Sequence, residues 1–214
     1  MKLVDLSVRD FVREVDSASP APGGGSVSAV SASMGLALMR MVGHLTIPKK
    51  KFAKLDESVQ RAFVDIHESL KGLQSKMLEL VDKDTEAFNA IMDAFRMPKE
   101  TESEQKKRNK VIEQATMKAI ETPEAMADIA YIALKKADFI AKYGNKNALS
   151  DVGVSTLMLY AGLEGACLNV LINLPGISDL AQRKAYQEKV LKLMKEANDI
   201  KDQTLETIHA ALVD

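Results

Sequence analysis

Residues Leu55–Phe95 read LDESVQRAFVDIHESLKGLQSKMLELVDKDTEAFNAIMDAF. Apolar side chains recur at Leu55, Val59, Phe63, Ile66, Leu70, Leu73, Met77 and Leu80, then at Phe88, Ile91 and Phe95. Steps of three and four gather them on one face of an α-helix, whereas a strand would scatter them over two faces. The stretch predicts one long helix, or two joined at Gly72, closed by Pro98. One member of the stripe is missing, and its place, position 84, holds an aspartate.

The same period extends outward in both directions. Upstream, a short helix is expected over Leu6–Val15 with Asp5 as its cap, and a second over about Ser26–Leu45. In the second, Ser28, Ala29, Ala32, Ser33 and Gly35 would let another helix approach closely. Pro48 then breaks the chain before Lys49-Lys50-Lys51. Downstream, a helix is expected over roughly Glu104–Ile120. Thr122-Pro123-Glu124 reads as the start of another, with a stripe of Ala127, Ala130, Leu134, Ala137 and Ala141 ended by Gly144. Asn145-Lys146-Asn147 is a polar turn. Ser150 or Asp151 would cap a helix running to Ile172, Pro175-Gly176 is a turn, and a last helix would occupy Asp179 to about Ala211. No strand-type alternation, repeat or linker interrupts this pattern. The expectation is an all-α fold, a single-domain multi-helix bundle with long antiparallel helices spanning residues 1–214.

Composition narrows the function. With 29 Lys+Arg against 30 Asp+Glu, the net charge offers nothing to nucleic acid or to an anionic membrane. Lys2–Glu14 is charged and amphipathic, unlike a secretory signal. The nearly uncharged run Pro20–Met39 begins with Pro and Gly, is studded with serine and ends at Arg40, so no membrane span is expected. A single cysteine, Cys167, fits a reducing cytoplasm, and His44, His67 and His209 lack ligand spacing, so no metal site is expected.

Three places could carry chemistry. In Ser19-Pro20-Ala21-Pro22-Gly23-Gly24-Gly25-Ser26, two prolines restrict the backbone and three glycines remove every Cβ from the start of a helix. Such a turn lets backbone N–H groups meet a ligand closely, and it equally serves as a rigid turn with tight packing behind it. Without a Lys after Gly25 it is not a P-loop. Asp84, on the apolar stripe, is either a proton-transfer group whose pKa burial would raise or a structural carboxylate held by a lysine or by backbone N–H groups. Asp82, two residues away, would point into solvent. Finally, Gly144–Asp151 (GNKNALSD) supplies two amides able to read a heterocycle edge, followed by Ser150-Asp151 where a helix cap is needed. Asn169 and Asn173 share a helix face, where routine hydrogen bonding is the simpler reading. Cations at Lys49–Lys51, Lys99, Lys106, Lys107, Arg108 and Lys110 are by default solvated, or could meet an anionic tail.

Six segments, Ser19–Ser26 (SPAPGGGS), Met41–Lys50 (MVGHLTIPKK), Asp82–Lys99 (DKDTEAFNAIMDAFRMPK), Glu121–Ala125 (ETPEA), Gly144–Asp151 and Asn169–Leu174 (NVLINL), occur in this order. Together they resemble the formimidoyltetrahydrofolate cyclodeaminase and methenyltetrahydrofolate cyclohydrolase family, apart from Pro48, where that family's basic turn would carry Gly. The resemblance implies an all-α homodimer with a folate site near the subunit interface, working at the N5–N10 bridge with no cofactor beyond its tetrahydrofolate substrate, which carries one or more glutamates. Burial and charge, taken with this resemblance, point to Asp84 as the proton-moving group with Asp151 as a second carboxylate or an orienting group. Gly23, Gly24, Gly25, Ser26, Asn145 and Asn147 would lie around the pterin or aminobenzoyl portion, and Lys99 and Arg108 at the glutamate tail. A helical protein that keeps the fold as a folate-binding module or scaffold, without catalysis, is the alternative; it predicts an Asp84 paired with an internal lysine or arginine and no pocket opening beside it.

Overall fold

The helix α2 (Gly24–Thr46) lies against α6 (Leu149–Asn173) closely enough that several contacts are between backbones. A Cβ on Gly162 would stand 2.7 Å from both Ala32 Cβ and the Ser28 carbonyl oxygen, and one on Gly35 would stand 2.8 Å from Leu159 Cγ. Serine hydroxyls tie the seam: Ser155 Oγ donates to the Gly35 carbonyl at 2.6 Å and Ser31 Oγ to that of Met158 at 2.9 Å. Ser28, Ala29, Ala32, Ser33 and Gly35 are all buried, as their small size foretold.

The computed structural model describes residues 2–213; the outermost residue at each end of the expected domain lies outside them. Among the described residues there are seven α-helices and no strand. The other five are α1 (Val8–Val15), α3 (Glu57–Arg96), α4 (Glu102–Leu134), α5 (Ala137–Tyr143) and α7 (Leu180–Val213). The long helices α2, α3, α4 and α6 close a ring, each packed on the next, and α7 lies along α6. Successive long helices run antiparallel, the up-down order short connections favour. Phe63, Leu70 and Met77 of α3 meet Leu36 and Met39 of α2, Ile120 and Met126 of α4 and Leu159 and Leu163 of α6 in one core.

The predicted long stripe is a single 40-residue helix, and Gly72 sits within it with nothing near. Its far end departs from expectation: Phe95 is 52% exposed and carries the Arg108 guanidinium 5.7 Å above its ring. Ser7 caps α1 by accepting the Asp10 N–H, which shortens the helix expected from Leu6 with Asp5 as its cap. Asp82 is half-buried and not simply solvated; its Oδ1 accepts the Leu3 N–H at 2.6 Å and fastens the N-terminal segment to α3.

The largest correction concerns Thr122-Pro123. No helix starts there, because α4 begins with a capping box between Thr101 and Glu104 and continues through Pro123 to Leu134. Proline has no N–H to give the carbonyl four residues back. That carbonyl, on Ala119, instead accepts Asn173 Nδ2 from the end of α6 at 3.1 Å. The missing intrahelical donor is thus supplied from another helix, and α4 keeps its course. The alanine stripe expected to run on to Ala141 breaks at Lys135-Lys136, and α5 carries its last part. Nor does Ser150 or Asp151 cap α6: both lie inside its first turn, preceded by a 3-10 turn over Lys146–Ala148.

By length and composition alone, α2 and the segment Lys146–Gly176 could each cross a membrane, with mean hydropathies of 1.3 and 1.5. They pack on one another, and their outward faces carry Val27, Met34, Leu157, Leu168 and Ile172, the last 75% exposed.

Candidate functional site

Asp84 reaches the N-terminus of α2 from the middle of α3. Gly23 precedes the helix in an extended conformation and Gly24 opens it; among the described residues no glycine has a positive φ. The glycines therefore serve close approach. A Cβ on Gly25 would overlap the Asp84 carboxylate itself, and one on Gly24 would stand 3.3 Å from Asn169 Nδ2. Ser26, fully buried, places Oγ 2.8 Å from the Val81 carbonyl oxygen and 3.2 Å from both Asp84 Oδ2 and Thr85 Oγ1. Its one hydroxyl proton serves one acceptor at a time.

Burial pushes the Asp84 carboxyl above its usual range, and the Ser26 hydroxyl and backbone N–H act against that shift by favouring the ionised form. Among the described residues no lysine or arginine forms an ion pair with Asp84. The paired carboxylate of the scaffold reading is absent. What holds Asp84 is the start of α2, where N–H groups lack intrahelical partners and the dipole favours an anion. A half-buried carboxyl with no paired cation and a raised pKa takes up its proton at a higher pH than a surface aspartate does, which suits it to proton transfer.

Asn169 and Asn173 flank this end of the bundle. Asn169 Nδ2 donates to the Gly165 carbonyl at 2.7 Å, and Asn173 is spent on Ala119 and Asn169, so hydrogen bonding accounts for both donor groups. Beyond the end of α3, Lys99 is exposed, while Arg108 folds back and donates to the Phe95 carbonyl at 3.2 Å.

The other predicted residues stand at the opposite end of α2. This helix of 23 residues is about 34 Å long. Asn145 is bound to its C-terminal end: the Asn145 N–H donates to Thr46 Oγ1 at 2.8 Å, Nδ2 to the Leu45 carbonyl, and Oδ1 accepts the Asn147 N–H. Both groups of its side chain are thereby committed to shaping the turn. Asp151 sits half-buried in the first turn of α6, which runs antiparallel to α2, so it is about 25 Å from Asp84 along the helix axis. One chain does not bring Asp84 and Asp151 together, nor the glycine turn and the Asn145–Asn147 turn.

At this second end a cavity of about 570 Å³ opens between the Lys49–Phe52 loop and the Lys142–Asn147 turn. Sequence reading had the Lys49–Lys51 run but missed Lys142 and Lys146, whose four-residue spacing across Gly144 was the available signal. Thr85 beside Asp84 was missed as well. Elsewhere, Cys167 is fully buried and its thiol is pushed up to about 12, mainly by burial, so it is a core side chain and a poor nucleophile. Among the described residues no three His, Cys, Asp or Glu side chains converge on a possible metal position.

Comparison with known proteins bears on this geometry. A methenyltetrahydrofolate cyclohydrolase of Methylorubrum extorquens is 34% identical over 202 residues, covering 94% of this chain and 95% of that protein. The formimidoyltransferase-cyclodeaminase of Rattus norvegicus is 35% identical over 195 residues; the match takes in 91% of this chain and 35% of that much longer protein. The crystal structure of a formiminotetrahydrofolate cyclodeaminase from Thermotoga maritima superposes with a TM-score of 0.77 at 27% identity, over 99% of this chain and 98% of that one. The family profile described as formiminotransferase-cyclodeaminase matches residues 7–208, and with it the chain belongs to that family.

Proposed function

We propose that this chain is a folate one-carbon enzyme that cyclises 5-formimidoyltetrahydrofolate to 5,10-methenyltetrahydrofolate with release of ammonia. The observation that carries the proposal is Asp84, an unpaired, half-buried carboxyl with a raised pKa facing the Cβ-free start of α2. N10 attacks the carbon of the protonated amidine (exocyclic =NH2+), and a tetrahedral centre forms between N5 and N10 with the exocyclic nitrogen as NH2. Ionised Asp84 takes the N10 proton, then returns it to the exocyclic nitrogen, which leaves as ammonia while the C–N double bond of the bridge forms. Its negative charge also stabilises the cationic bridge. Gly23, Gly24, Gly25 and Ser26 hold the pterin–aminobenzoyl portion against this carboxyl. The substrate supplies all of this chemistry, with no further cofactor.

The protein works as a cytoplasmic homodimer. The uncharged outward faces of α2 and α6, with Val27, Met34, Leu157, Leu168 and Ile172 exposed, are buried against the same faces of a second copy. An antiparallel pairing sets one chain's Asp84 end beside the Asp151 end of the other. It thereby joins the two halves of the predicted site, Asp151 acting as the second carboxylate or orienting group. A single-chain mass in solution at micromolar concentration would rule this assembly out.

A second reading is favoured by the match to the Methylorubrum cyclohydrolase over nearly the whole of both proteins. Here water adds to the methenyl bridge and the ring opens to 10-formyltetrahydrofolate, with Asp84 moving the same protons. The near-ultraviolet absorbance of the methenyl bridge separates the readings. Growth from 5-formimidoyltetrahydrofolate supports the deaminase, and decay of methenyltetrahydrofolate faster than the enzyme-free control supports the hydrolase. No change with either substrate would overturn the enzymatic proposal.

A further inference from the structure

Ser26 Oγ is fully buried with three oxygens around it: the Val81 carbonyl at 2.8 Å, Asp84 Oδ2 at 3.2 Å and Thr85 Oγ1 at 3.2 Å. A hydroxyl has one proton to give and two lone pairs to offer. A carbonyl and an ionised carboxylate only accept, so Ser26 gives its proton to Val81 or to Asp84. The third contact is then made by the Thr85 hydroxyl donating to Ser26. The two acceptors are unequal. Inside α3 the Val81 carbonyl already has the N–H of Thr85, four residues on, so the Ser26 bond is its second. The Asp84 carboxylate, when ionised, has no paired cation among the described residues and binds a donor more strongly than a neutral carbonyl does.

We propose that the Ser26 hydroxyl is a positioning group that follows the Asp84 proton. It donates to Oδ2 while the carboxyl is ionised and swings back to the Val81 carbonyl once the carboxyl is protonated, with Thr85 holding its oxygen in both positions. The swing breaks no bond to hydrogen. It stabilises the base before the N10 proton is taken and withdraws that support from the acid, which then has only the leaving nitrogen to serve. The Ser26 N–H, in the first turn of α2, favours the ionised carboxylate as well, but it is part of the backbone and cannot turn away. Charged groups on the surrounding elements are Asp82, Lys83 and Glu86 of α3, Lys118 and Glu121 of α4, Glu164 of α6, and Lys2 and Asp5 of the N-terminal segment; α2 carries none before Arg40, about 21 Å from Ser26 along the helix. Burial and Ser26, not these charges, set the Asp84 carboxyl. The inference rests on the folate reading above for the use made of the proton.

The test titrates the Asp84 carboxyl by NMR in protein carrying carbon-13 at its aspartate carboxyls, the Asp84 resonance being the one lost in Asp84→Asn. Ser26→Ala raises its midpoint by about one pH unit, since the ionised form alone loses a donor. Thr85→Val raises it by less, about 0.3 pH unit, and Thr85→Ser, which keeps the hydroxyl, returns it to the wild-type value. A hydroxyl bound to Val81 in both states would leave all these proteins at one midpoint, and that outcome overturns the inference. Circular dichroism confirms that each variant folds; the half-buried Thr85 decides the matter should Ser26→Ala not fold. The titration needs no substrate, so two failures separate. Moved midpoints in a wild type that turns over neither 5-formimidoyltetrahydrofolate nor methenyltetrahydrofolate overturn the folate reading and uphold the swing. Unmoved midpoints in an active protein overturn the swing alone.

Discussion

The two ends of α2 were built for opposite charges. At its start, three glycines and a buried serine bring the backbone against a single carboxylate, with which no cation pairs among the described residues. At its finish, a helix-terminal threonine and a hydrogen-bonded turn hold open a cavity ringed by lysines, with no anion in the wall. The first end owes its chemistry to the absence of side chains, the second to an excess of long ones. Glycine is therefore read best by what would stand in the place of its Cβ, and lysine by whether a partner is in reach.

The deepest break in this contrast comes from Asp84→Asn. Turnover should fall by about 10²–10⁴-fold while the helical circular dichroism stays intact. Near-wild-type activity would remove Asp84 from the chemistry. The pH dependence follows from the sign of the shift. If the ionised form is the active one, wild-type kcat declines as pH falls through a midpoint above that of an ordinary aspartate, about 3.9. For stability the same shift runs the other way. A folded-state pKa above the unfolded one means that ionising Asp84 costs stability as pH rises through that window, so the asparagine variant should melt no lower than wild type at neutral pH.

The seam that carries both ends is tested by Gly162→Ala. The new methyl would meet Ala32 and the Ser28 backbone of a neighbouring helix, neither of which can swing aside, so a loss of about 2 kcal/mol is expected. For a chain of this length that is a fall of roughly 4–8 °C in Tm. An unchanged Tm would show that α2 and α6 can part without cost.

Asn173→Ala should cost about 1–2 kcal/mol, because it strips the donor from the Ala119 carbonyl that Pro123 already leaves unserved. The pairing is sharpened by repeating the change in a Pro123→Ala background, where the restored backbone N–H should make it nearly neutral. Additive losses in that double-mutant cycle would refute the substitution of one donor by the other. The smallest effect is a gain. Gly72→Ala, within α3 and with nothing near the added methyl, should stabilise by about 0.5–1 kcal/mol in a denaturant melt. It is the counter-case to Gly162, the same residue type in a helix with the sign reversed by its surroundings.

Much of the candidate site at the start of α2 was legible in the chain. The interrupted stripe singled out Asp84, and the glycine run and small residues foretold a closely approached helix. The lysine end was half legible, since Lys49–Lys51 stand together in sequence but meet Lys142 only in space.

Periodicity is a local property, repeated every turn, so the sequence by itself determined that the chain is helical and roughly where α2, α3, α6 and α7 lie, while it divided α4 at Pro123 and placed Phe95 inside. A proline's missing donor replaced by an asparagine 50 residues further on, an Asp82 that leaves solvent for the Leu3 N–H, and lysines from two loops that enclose one cavity are relations between distant segments. Only the tertiary structure decided those. A hydrogen bond or a field depends on distances of a few ångströms, and residue spacing along a chain does not fix such distances once it turns back on itself.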